Sequence, residues 1–149
     1  MSTDEERAAE LPIAEEILLD ASGGNKDAEE YLRMIAGVTR TLDDVYDEDR
    51  PVTREKLLGI FETLFVKLPT NKFFQKHRDL LLSQHITMYG TWMASNIFTN
   101  NETEQIYAHV WRDYVDELLP IVALLTQGYD KMIKVSIGMR LPFMKKLGE

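Results

Sequence analysis

The 149-residue chain is 44% hydrophobic and 28% charged, has no cysteine and carries a net charge of −8. These values describe one globular domain with a single core, and they exclude disulfides, thiolate metal sites and cysteine nucleophiles. The acidic balance opposes nucleic-acid binding by the chain as a whole, because attraction to phosphates needs a basic face.

Helical spacing of apolar residues dominates from end to end, and no stretch alternates as a strand does. A short helix is expected over 12–20, with Pro12 in its first turn, ended by Ala21-Ser22-Gly23-Gly24-Asn25. A second helix, capped by Asn25 or Asp27, runs to about Asp47, and Arg50-Pro51 closes that segment. Thr53 caps a third helix reaching Leu68. Pro69-Thr70-Asn71 is the next break, and a long fourth helix follows to Asn96 or Phe98. After the Asn100-Asn101 turn, a fifth helix spans Glu102 to Gln127 and stops at Gly128; a sixth runs from Asp130 to about Leu141, before Pro142. Pro120 removes a backbone donor inside the fifth helix and predicts a kink there. Gly37, Gly59 and Gly90 lie inside helices, where close approach of a neighbouring helix would explain them; Gly90 stands opposite the main apolar face of helix four, which predicts that this helix is covered on both sides.

The pattern predicts an all-α fold, a compact bundle of about five to six helices with short connections. Residues 1–24 form an acidic N-terminal segment with a short helix, and residues 25–149 form the bundle domain. Residues 1–30 hold ten acidic side chains against Arg7 and Lys26, which equals the whole net charge; the tail is locally basic, with Lys131, Lys134, Arg140, Lys145 and Lys146. A secretory signal would begin basic and turn apolar, and a membrane helix needs roughly 18 apolar residues. Neither is present, so a cytoplasmic protein without membrane contact is expected.

Three sets of residues could carry chemistry. On helix two, the apolar face is Ala28, Tyr31, Ile35, Val38, Leu42 and Tyr46; Asp43 and Asp47 lie together at its edge, and Asp44 points away towards Arg33 and Arg40. Glu48 and Asp49 continue this acidic run. Asp43 and Asp47, one turn apart, could share a hard cation. On helix four, Phe74, His77, Leu81, Gln84, His85, Met88, Trp92, Ser95 and Asn96 share a face on which polar groups interrupt an apolar stripe. His77 and His85 are about 12 Å apart along the axis, too far to ligate one ion. On helix five, Glu117 falls within the stripe of Ile106, Val110, Tyr114, Ile121, Leu124 and Leu125, with Asp113 beside it. Two carboxylates there need a cation or donors; Arg40, Arg78, Arg140 or His109 could supply the latter.

The spelling Asp43-Asp44-Val45-Tyr46-Asp47 resembles the aspartate-rich motif by which class I prenyl and terpene synthases grip Mg²⁺-diphosphate, over five residues of a chain half as long. Asp43 and Asp47 opposite Asp113 and Glu117 also look like a variant of the acid-rich helices in all-α NTP pyrophosphohydrolases, without their usual Glu-Glu-x-x-Glu spelling. A third resemblance rests on Thr41-Leu42-Asp43-Asp44-Val45-Tyr46-Asp47, Thr91-Trp92-Met93-Ala94-Ser95-Asn96 and Val110-Trp111-Arg112-Asp113-Tyr114. In order, spacing and helical setting these are similar to segments of small all-helical proteins of tailed bacteriophages. That likeness implies no activity, only a phage origin and a place in the host cytoplasm or in virion assembly.

Two functions stay open. The first is a helical accessory or interaction protein without a cofactor, engaging another protein or itself through an apolar helix face. The second is a Mg²⁺-dependent phosphohydrolase acting on a nucleotide or diphosphate, with Asp43, Asp47, Asp113 and Glu117 as the metal set.

Overall fold

A computed structural model describes residues 4–48 and 50–141, and among them every regular element is helical. The all-α reading therefore holds. In chain order these are α1 (Asp4–Ser22), α2 (Lys26–Asp47), α3 (Arg54–Glu62), a π-helical turn (Thr63–Lys67), α4 (Leu68–Thr70), α5 (Lys72–Lys76), α6 (Arg78–Ile97), α7 (Glu102–Arg112), a 3-10 stretch (Asp113–Glu117), α8 (Leu118–Gln127) and α9 (Tyr129–Gly138). Asp49, Pro142, Lys145 and Lys146 lie outside the described residues. No helix among the described residues is long and apolar enough to cross a membrane.

The breaks follow local chemistry. Asn25, Thr53, Asn71 and Asn101 each have extended backbone and accept a hydrogen bond from the N–H three residues on, which satisfies a donor that the helix start leaves free. The first helix starts at Asp4, so Pro12 lies within it rather than in its opening turn. The third helix widens before Pro69. The proline ring crowds the carbonyl four residues back, and the Leu68 N–H bonds to the Thr63 carbonyl in a π turn.

The long helices four and five are each divided. His77 leaves helical backbone (φ −116°, ψ 23°) and separates α5 from α6. The kink expected at Pro120 appears one turn earlier, as the 3-10 stretch. Pro120 itself occupies the first turn of α8, where its missing N–H is not needed.

The core gathers Leu18 and Ala21 of α1, Tyr31, Leu32 and Ile35 of α2, Phe73 and Phe74 of α5, Leu81 of α6, Leu118 and Val122 of α8, and Val135 of α9. The α1–α8 seam is also polar. The Thr126 hydroxyl donates to the Ala21 carbonyl at 3.1 Å, and Gln127 Nε2 donates to the Asp20 and Ala21 carbonyls at 3.0 and 3.1 Å. Gly23, at φ +57°, turns the chain beneath Gln127; a Cβ there would lie 2.5 Å from the Gln127 side chain, so this turn requires glycine twice over.

Several covered faces expected from the sequence are not covered. Ile106, Val110 and Tyr114 are exposed, and the chain buries Ala108 of α7 instead. A Cβ at Gly37, Gly59 or Gly90 would meet nothing within 4 Å among the described residues, so close helix–helix approach does not explain these glycines there. α6 is covered on one side only, with Leu82, Ile86, Tyr89 and Ile97 exposed on the other. α3 buries no residue at all.

Candidate functional site

The end of α2, the C-terminal half of α6 and the end of α7 bring the acidic run against polar partners. Asp43 accepts a hydrogen bond from the Trp92 indole N–H at 2.7 Å, and the Tyr46 ring meets Trp92 edge-on at 5.4 Å. Arg112 reaches α6, donating to the Ser95 hydroxyl at 3.3 Å and the Asn96 side-chain oxygen at 3.4 Å. The carboxyl pKa of Asp43 is raised, first by partial desolvation and then by Asp47 and Asp44, against the opposing pull of Trp92 and Arg112. Asp43 nonetheless keeps an exposed surface, so solvent limits that effect. Asp44, which the helical wheel turns away from the apolar face towards Arg33 and Arg40, is buried, 6% exposed. Arg33, its expected partner, pairs with Glu15 and Glu29.

The second acid pair is held elsewhere. Glu117 accepts from Arg140, one of the donors named for it, but each side chain is about a third exposed, so Glu117 is less buried than its place within the apolar stripe implies. Asp113 is exposed, as is His109. Asp116, which the sequence reading passed over, has its carboxyl pKa raised by packing around it and by Asp113. Among the described residues no three of His, Asp and Glu converge into a group that could hold a metal ion. Asp43, Asp47, Asp113 and Glu117 are thus not brought to one point. Two surface depressions among the described residues, one lined by Asp27, Glu30, Lys67, Thr70, Asn71 and Lys72 and one by Thr99, Gln105, Ala108, His109 and Arg112, contain none of the four.

The histidines serve the core. The Tyr31 hydroxyl and His85 Nε2 lie 2.7 Å apart, and the His85 ring stacks on Tyr31 and Phe74, each at 5.9 Å. Burial lowers the His85 pKa and raises that of Tyr31, so both are neutral at pH 7. His77 tilts against Phe73 at 4.9 Å, and its pKa is lowered by burial and by Lys76. The partner of His85, Tyr31, sits on another helix, and nothing local in the sequence joins the two.

Trp92 and Asp43 give a sharp test of what the acid does. A structural acceptor can be replaced by an amide that still accepts from the indole. Asp43→Asn should therefore change stability by less than about 1 kcal/mol. Asp43→Ala, which leaves the indole N–H to water, should lose about 0.5–1.5 kcal/mol. Denaturant midpoints of the two variants decide this, and a larger loss for Asn than for Ala would overturn it. No known protein family, curated protein or solved structure matches the chain.

Proposed function

We propose that this chain is a non-enzymatic helical interaction protein. One observation carries the reading: among the described residues, the exposed large apolar side chains outnumber the buried ones, and most of them lie in rows along α3 and the π turn after it, α6, α7 and α9. Scattered apolar residues are ordinary on a surface, but continuous rows mark a contact surface. The row on α6 is the most telling. From Leu80 to Asn101 that helix and the turn after it contain no Asp, Glu, Lys or Arg. A helix face left in water is normally laced with charge.

The likeness of three segments to small helical phage proteins supports an origin in a tailed bacteriophage. It also supports a partner met in the host cytoplasm or in virion assembly.

The phosphohydrolase reading gains nothing from the geometry, since its four acids do not converge and Glu117 is held by Arg140. Thermal unfolding with and without millimolar Mg²⁺ or Mn²⁺ tests the choice, because an ion that binds only the folded state raises the midpoint. The expected result is an unchanged midpoint and no phosphate release from nucleoside di- or triphosphates. A metal-dependent rise lost in Asp43→Asn/Asp113→Asn, together with phosphate release, would overturn the interaction reading.

A further inference from the structure

We infer that α3 and the π turn after it form an isologous homodimer contact, in which the apolar stripe of one copy packs antiparallel against the same stripe of a second. The inference rests on the interaction reading above and names its partner.

The stripe is Leu57, Leu58, Phe61, Leu64 and Phe65, all exposed, with Phe65 at 74%. Leu57, Phe61, Leu64 and Leu68 repeat at intervals of four, three and four, the seam spacing of paired helices. Leu68 is buried and fastens one end of this rod to the core, while no residue from Arg54 to Lys67 is buried and only Ile60 and Thr63 are partly covered. The Phe61 and Phe65 rings stack at 5.9 Å and present one flat apolar surface.

Charge complementarity selects a second copy as the occupant. The net charge of −8 lies within residues 1–30, and the α3 rod stands outside them and carries both signs. It interleaves Arg54, Lys56 and Lys67 with Glu55 and Glu62, and an antiparallel copy centred on Phe61 sets Glu55 of one rod opposite Lys67 of the other at each end of the contact. Parallel pairing would set two Arg54 side chains and two like helix ends together. Antiparallel pairing separates them, and a two-fold axis closes the assembly at two copies.

Phe61 stands at the middle of the stripe, so the axis passes beside it. The chain has no cysteine, which makes a single introduced thiol an unambiguous probe. Sedimentation of the full chain across the micromolar range should give a dimer, and Phe61→Glu/Phe65→Glu should abolish it while the helical circular dichroism signal is kept. Under mild oxidation Phe61→Cys should cross-link as a dimer, while Gly90→Cys, on the exposed side of α6, should not. If the double variant fails to fold, the cross-link decides alone. A dimer that survives the double variant, or that cross-links through position 90 and not 61, would overturn the α3 contact and leave the interaction reading standing. A wild-type chain monomeric at every concentration would also overturn it, and the metal and phosphate-release measurement then judges the broader reading by itself.

Discussion

Tyr31→Ala is expected to remove about 3–5 kcal/mol of folding stability, the range for deleting a buried aromatic ring. Tyr31 is fully buried and is the hub of the aromatic cluster, with Phe73 at 5.8 Å, Phe74 at 6.2 Å and His85 at 5.9 Å between ring centres. Truncation opens a cavity where α2, α5 and α6 meet, and it also leaves His85 Nε2 without its hydroxyl partner. Domains of this size have a total stability of about 5–15 kcal/mol, so the variant should forfeit a large share of it and unfold at a much lower urea concentration. Tyr31→Phe keeps the rings and removes only the hydroxyl, and should cost about 1–2 kcal/mol. Urea unfolding of the pair separates packing from hydrogen bonding. Equal losses for the two variants would mean that the hydroxyl–imidazole contact, not the ring, fastens α6 to α2.

That contact also marks the boundary between what the sequence conveys and what it does not. Helix starts are local, and Asn25, Thr53 and Asn101 cap where their short polar side chains precede helical periodicity. Pro69 and Pro120 announce disturbances, though not their form. One is preceded by a π turn and the other by a 3-10 stretch, each in the turn before its proline. Apolar faces are different. A helical wheel shows that a stripe exists but not whether the same chain covers it. Tyr31 and Ile35 found cover within the chain, and Val110 and Tyr114 did not. The acids fail in the same way. Asp43 and Glu117 were singled out for a shared ion, yet the fold gives Asp43 an indole and Glu117 a guanidinium. Asp44, turned away from the apolar face by the wheel, is buried.

Asn71→Ala should cost about 2–4 kcal/mol, a large loss for so small a side chain, because it strands two backbone groups at once. Asn71 is 5% exposed and lies between α4 and α5. Its side-chain oxygen accepts from the Phe74 N–H at 2.8 Å, capping α5, and its side-chain nitrogen donates to the Asp27 carbonyl at 2.9 Å, tying the first turn of α2 to that cap. Phe73 and Phe74 enter the core immediately after, so the cap sets the angle at which both rings meet Tyr31. Substitutions separate the two roles. Asn71→Ser keeps an acceptor for the Phe74 N–H but cannot span to Asp27, and should recover about 1 kcal/mol of the alanine loss. Asn71→Asp keeps the acceptor and adds a negative charge where the helix start favours one. It loses the donor, however, and turns a carboxylate oxygen towards the Asp27 carbonyl, so it should also fall short of wild type. The expected order of stability is wild type, then Ser and Asp, then Ala, read from urea midpoints at constant slope. If Ala and Ser unfold together, the cap contributes nothing and the tie to Asp27 carries the whole effect. A loss below a few tenths of a kcal/mol for Ala would show that α5 is held by its two phenylalanines alone.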